Sequence, residues 1–176
     1  MIRGFAVALG PCERATARGY IEQIPNCNPG DPPAPLPTAQ QYALEFLAEL
    51  ETQAPRPVLH VAPGWAIVGK YAYLEATGDL TYVNTNAVIA WSCKVATSST
   101  NWGDGNTETI NRTTTGPWPD GSARHVYINK GHYAIVVTET WTCDINTPTG
   151  FTTLPLNTTT PPLDLRADEI QAVGVN

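Results

Sequence analysis

A chain of 176 residues with 42% hydrophobic residues can bury a real core and fits one domain with an appendage. Charged residues make up only 15%, against roughly 25% in an average soluble domain, and Thr, Gly and Pro fill the difference, as in β-rich, loop-rich extracytoplasmic proteins. A net charge of −6 without any Lys/Arg cluster excludes a nucleic-acid binder and disfavours anionic partners at long range, and no run approaches the ~18 apolar residues of a membrane-spanning helix.

Residues 1–10 hold one Arg and a short apolar run that meets Pro11-Cys12 instead of a small-residue cleavage site. They are too short for an export signal, and Pro11 argues against a lipid anchor at Cys12, so the true signal is expected to lie outside this chain. The four cysteines, Cys12, Cys27, Cys93 and Cys143, contain no C-x-x-C pair, which weakens a zinc reading. An even count in a Thr-rich β-protein predicts two disulfides and an oxidising compartment; four buried free thiols is the alternative. Residues 1–37 read as irregular. A bond between Cys12 and Cys27 would close a loop worth about 3 kcal/mol by chain entropy. Residues 28–37, Asn-Pro-Gly-Asp-Pro-Pro-Ala-Pro-Leu-Pro, form a stiff Pro-rich linker.

Residues 38–53 are the one predicted helix. Thr38 is the N-cap and Gln41 completes a capping-box pattern. Tyr42, Phe46, Leu47 and Leu50 recur on one face, with Glu45, Glu49 and Glu51 elsewhere, and Pro55 and Pro57 end the segment. Such a stripe packs on its own domain or docks a partner.

From residue 57 the signal is β. Val58-Leu59-His60-Val61 and Trp65-Ala66-Ile67-Val68 flank a turn at Pro63-Gly64. Residues 71–76 make a third strand, and Thr77-Gly78-Asp79 is a turn. Over 87–95, Ile89, Trp91, Cys93 and Val95 share one face; Asn86, Ser92 and Lys94 take the other, with small Val88 and Ala90 between them. Residues 98–102 rise into Gly103-Asp104-Gly105-Asn106, a hairpin turn that needs positive φ, and 107–112 descend as its partner. Residues 113–122 are a long polar loop containing Gly116-Pro117-Trp118-Pro119-Asp120-Gly121. After a strand at 123–128 and a turn at Asn129-Lys130-Gly131 comes the longest strand, 132–143. Its Tyr133, Ile135, Val137, Trp141 and Cys143 share a face with Glu139. A buried unpaired carboxylate is costly, so Glu139 is expected at a rim or paired. A Cys93–Cys143 bond would close about fifty residues, worth about 4 kcal/mol before strain. Residues 144–153 read as a loop and 163–175 as the last strand.

Trp102 with Gly103-Asp104-Gly105, then His125-x-Tyr127, then Gly131-x-Tyr133, in this order at strand spacing, resemble the PKD domain, an immunoglobulin-like module. The resemblance covers about residues 57–176 and is sharpest from 102 to 142. Trp102 abuts Gly103 where the family has an Asp and an aromatic between, and the 113–122 insert is long. The resemblance implies an all-β immunoglobulin-like β-sandwich of about seven to nine strands, preceded by one N-terminal amphipathic helix. The chain divides into an irregular segment at 1–37, a helix and connector at 38–56 and the sandwich at 57–176. The ending Leu-Arg-Ala-Asp-Glu-Ile-Gln-Ala-Val at 165–173 is similar to a variant in secreted actinobacterial proteins of unassigned function. That implies a secreted or cell-surface setting. The motif residues serve as fold determinants: Tyr133 can hydrogen-bond back across a corner, and Trp91 or Trp102 can plug a core.

Three histidines, His60, His125 and His132, are present. Ser122, His125 and Asp104 or Asp120 make a triad on paper, but no Gly-x-Ser-x-Gly elbow accompanies them. Paired carboxylates for glycoside hydrolysis are equally unanchored, and the cysteines lack the low-pKa context of a redox pair. The expectation is a non-enzyme with no catalytic residue, no cofactor and no metal, with His125 hydrogen-bonded beside the Asp104 turn. Asp104 with turn carbonyls, or Asp120 with Asp79, offers oxygen donors of the kind calcium takes, but no D-x-D-x-D-G loop supports such a site. Trp118, flanked by prolines in a polar loop, is the candidate ligand contact. If it is exposed beside other aromatics, sugar binding gains; if it is buried, a spacer role gains. The expected function is an extracellular binding or spacer module contacting protein or polysaccharide at the cell surface. The alternatives are an accessory domain of a secreted enzyme, or a piece of a larger surface or phage assembly, which an exposed helix stripe would favour.

Overall fold

The computed structural model describes residues 10, 12–16, 20–28, 30–31, 36–85, 89–116, 118 and 122–170. Several expectations fall outside them: the N-terminal run at 1–9, part of the Pro-rich linker, Asn86 and Val88, Asp120 with the prolines flanking Trp118, and the end of the last predicted strand. Among the described residues, one helix and twelve strands make three sheets, so the chain is mostly β, as expected.

The first correction lies in the segment read as irregular. Strand β1 (Glu13–Ala15) pairs antiparallel with β2 (Ile21–Gln23), and the Cys12–Cys27 disulfide closes the hairpin. Ile24 N–H donates to Cys12 O at 2.8 Å beside that bond. Three-residue strands carry too little alternation to announce themselves; a covalent staple supplies what a core would otherwise provide.

The helix α1 (Ala39–Gln53) follows this hairpin, so it is mid-chain and not N-terminal. Its start is capped as the sequence indicates. Gln41 N–H donates to Thr38 Oγ1 at 3.2 Å, and Thr38 N–H donates to Gln41 Oε1 at 2.8 Å. Ala54, before Pro55, is already extended, as a residue preceding proline must be. Tyr42, Ala43, Phe46 and Leu50 are buried. A cap contributes about 1 kcal/mol, while each large apolar side chain buried contributes about 1.5–3 kcal/mol. Packing therefore holds the helix more than its cap does.

The largest sheet runs in the order β4 (Trp65–Ile67), β12 (Leu163–Asp168), β10 (Gly131–Thr147), β7 (Ala90–Asn101), β6 (Thr81–Thr85). β11 (Gly150–Thr159) adds to β10 and β8 (Thr107–Asn111) adds to β7. A separate three-stranded sheet is ordered β3 (Val58–Val61), β5 (Tyr71–Thr77), β9 (Ser122–Val126). β10 is the longest strand, at 17 residues. Its first part pairs with β12, its later part with β11, and its other edge with β7. Two strands differ from expectation. β6 occupies residues between the expected turn at 77–79 and the expected strand at 87–95, where the sequence indicates no element. Most of the loop expected at 144–153 is strand, because β10 runs on to Thr147 and β11 folds back from Gly150.

The inner face of β10 carries two hydrophobic clusters. Ile135 and Val137 pack with Leu74, Ala123, Tyr127, Trp102 and Leu165, drawing on both sheets. Trp141, Cys143 and Ile145 pack with Trp91, Leu156 and the helix residues Phe46 and Leu50. Glu139 stands between the two sets, 1% exposed, and forms an ion pair with Arg112, also 1% exposed. Arg112 Nη2 donates to Ala76 O at 2.6 Å as well. The break in the apolar alternation of β10 is thus a paired, fully buried charge at the seam between clusters. Burial lowers the pKa of Arg112, though a guanidinium starts so high that it stays charged.

Opposite this seam β7 makes a bulge. Trp141 faces Val95 while Thr140 faces Thr97, which leaves Ala96 unpaired. The extra residue shifts the buried positions from Trp91, Cys93 and Val95 to Ser98 and Thr100, keeping both halves of β7 on the face that β10 presents. Cys93 and Cys143 are direct cross-strand partners, fully buried and disulfide-bonded, with Cα atoms 4.0 Å apart.

Candidate functional site

Seven of the eight motif residues form one continuous chain of contacts, and the eighth, Gly105, serves the turn through its positive φ of 94°. Trp102 N–H donates to Asn106 O at 3.0 Å and Gly103 N–H to Asn101 Oδ1 at 2.9 Å, closing the turn. Gly103 has φ +78°, and a Cβ there would sit 2.8 Å from Ala134 N, so only glycine lets the turn press on β10. Asp104 accepts from Asn106 N–H at 3.0 Å, from Asn106 Nδ2 at 3.0 Å and from His125 Nε2 at 2.7 Å. Burial pushes its pKa up, but the hydrogen bonds from Asn106 and His125 outweigh that and hold the carboxyl below its ordinary value.

The His125 ring stacks on Trp102 with centroids 5.1 Å apart and meets Tyr127 edge-on at 4.8 Å. Tyr127 O–H donates to Trp102 O at 3.1 Å and its ring stacks on Tyr133 at 4.2 Å. Tyr133 O–H donates to Asn129 O at 2.8 Å, and Gly131 lies against the Tyr133 ring. Burial also pushes the Tyr127 phenol pKa up, so it remains a neutral donor. Trp102 and Tyr127 are fully buried. These side chains lock the Gly-Asp-Gly turn to β9 and β10, and the two fully buried ones offer a ligand nothing.

The exposed chemistry lies on the opposite face of β5 and β9. In β5, Ala72, Leu74 and Ala76 point into the core, which leaves Tyr71, Tyr73 and Glu75 on the outer face. Tyr73 is the cross-strand partner of Arg124. Trp118 joins them from the loop. Tyr71, Tyr73 and Trp118 are 52%, 43% and 40% exposed. Tyr73 lies 6.2 Å from Tyr71 at an interplanar angle of 45°, and 6.2 Å from Trp118 at 58°. The Arg124 guanidinium carbon sits 4.0 Å from the Trp118 ring centroid and 4.3 Å from that of Tyr71. Each such cation–π contact contributes about 0.5–1 kcal/mol at an exposed site. The backbone of Arg124 is pinned too, its N–H donating to Glu108 Oε2 at 3.2 Å.

Only Trp118 of this group stood out in the sequence. The signal for the others was the Tyr71-x-Tyr73 alternation against inward Ala72 and Leu74, which put two aromatics on a solvent face. Neither Tyr was singled out because a strand's alternation alone does not say which face meets solvent.

The paper triad is not assembled. Ser122 Oγ donates to Gly116 O at 2.6 Å, and Ser122 leaves β9 on the face opposite His125, three residues on. Asp120 is outside the described residues, and Asp79 is exposed. Among the described residues no group of three or more His, Cys, Asp or Glu side chains gathers as a metal would need. The helix stripe of Tyr42, Phe46 and Leu50 is covered by the chain's own sheet.

No protein-family model and no curated protein matches the chain. Two disulfides point to an oxidising environment, and no helix among the described residues is long and apolar enough to cross a membrane.

Proposed function

We propose that this chain is a secreted, non-enzymatic binding module of PKD-like architecture that holds a polysaccharide chain at the cell surface on Tyr71, Tyr73 and Trp118. The observation that carries this is the run of three exposed aromatic rings on one sheet face, with Tyr73 next to both Tyr71 and Trp118. Exposed clustered aromatics are costly to leave in water and mark contact surfaces. The rings are tilted against one another instead of coplanar. Such a surface suits a single twisted glycan chain better than a flat crystalline one.

The strand order supports the immunoglobulin-like reading. β7, β10 and β12 lie side by side as strands C, F and G do in that fold, and β3, β5 and β9 lie as A, B and E do. The Tyr133 bond to Asn129 has the form of a tyrosine corner. The Cys93–Cys143 bond departs from the pattern, joining neighbours within one sheet. An accessory domain of a secreted enzyme would use the same surface. A docking helix for a larger assembly is not favoured, because the stripe is buried.

The test is calorimetric titration against a panel of soluble polysaccharides. At least one should bind, and Trp118→Ala should weaken it by about thirtyfold or more, as loss of an aromatic anchor does. No binding across the panel, or equal binding by the variant, would sink the proposal.

A further inference from the structure

We infer that this surface selects an acidic polysaccharide, one whose sugars carry carboxylates, and that Arg124 is the selecting residue; the inference rests on the saccharide reading above. The Arg124 guanidinium carbon lies over the Trp118 and Tyr71 rings, so aromatic surface holds the head group. Its N–H donors form the fork that matches a carboxylate bidentately. None of the ion pairs among the described residues involves Arg124. Glu75 leaves the same face of β5 but does not pair with it. The charge is therefore held in place by its contacts with the rings, and no carboxylate among the described residues forms an ion pair with the guanidinium; Glu108 binds only the Arg124 backbone N–H.

The rest of the molecule makes this selection local. With a net charge of −6, the chain repels a polyanion at a distance. Non-specific attraction, which makes basic proteins bind any acidic polymer, is absent. Preference for an acidic glycan must come from contact, and Arg124 is the cation among the three rings.

Calorimetric titration of the full chain with alginate, and with the same polymer after reduction of its carboxylates to alcohols, tests this. The unmodified protein should bind the acidic polymer about ten- to a hundredfold tighter, the range of one charge-assisted hydrogen-bonded pair. Arg124→Gln should bring the two affinities together, weakening the acidic polymer far more than the reduced one. Arg124→Lys keeps the charge but loses the planar fork and should lose most of the preference. Equal affinity of the unmodified protein for the two polymers would overturn the inference and leave the saccharide reading standing. Binding of neither polymer, with binding to some neutral glycan, would do the same. Binding of no glycan at all would remove both. Full preference in Arg124→Lys would show that bulk charge, not the guanidinium edge, is read. The two-polymer comparison needs no variant, so a misfolded substitution cannot decide it.

Discussion

Asp104 shows how much one turn residue carries. Burial disfavours its charge, yet hydrogen bonds from Asn106 and His125 more than offset this, and its folded pKa lies below the ordinary value. A carboxyl depressed in the folded state adds stability above its unfolded pKa, and that stability is lost as pH falls through the folded one. The protein should therefore lose stability from about pH 4 downward, and Asp104→Asn should flatten part of that acid limb. Urea midpoints measured between pH 6 and pH 2 check this; an unchanged acid slope in the variant would refute it. The turn was legible in the sequence, because Gly-Asp-Gly has few other uses, and so was the partnership of His125 with Asp104. Arg124 was not legible: nothing in Ser-Ala-Arg-His-Val says that its third residue will lie over two rings brought from β5 and the loop.

Among the elements, β10 is where sequence and structure can be compared most closely. Its alternation correctly marked Glu139 as a residue that needed a partner. It could not name Arg112, which comes from beyond the end of β8, nor show that the pair lies at a seam and not at a rim. Glu139→Ala would strand a buried guanidinium, and the expected loss is about 3–5 kcal/mol by chemical denaturation. Replacing both partners, Arg112→Met with Glu139→Leu, should recover most of it, since a well-packed apolar pair avoids the desolvation of both charges. A single variant within about 1 kcal/mol of the parent would mean that the pair is not buried as described. β11 was missed because Pro155 reads as a strand breaker. It is tolerated because β11 pairs on one side only, with β10, and an edge has no second ladder for the missing N–H to break. β6 was missed because five residues between a turn and a stronger strand give little signal. The bulge at Ala96 was equally hidden, since one added residue leaves no compositional trace.

At the scale of the whole molecule, composition indicated an extracytoplasmic β-protein, and two disulfides within a mostly β fold agree with the coarse part of that reading. The sequence also showed the helix and its buried stripe. It did not show that the helix covers one half of a long sheet while the three-stranded sheet covers the other half of the same face. That division depends on pairing between residues far apart in the chain, which local patterns do not encode. It has a consequence for how the protein comes apart. Ile135 and Val137 belong to one cluster, Trp141, Cys143 and Ile145 to the other, and a single uninterrupted strand carries all five. Neither cluster can melt without fraying the strand that supports the other. Despite two separate cores, unfolding should be one cooperative event, with near- and far-ultraviolet dichroism changing together. The slowest-exchanging amides should lie along the middle of β10. Two resolved transitions would show that the cores are independent after all.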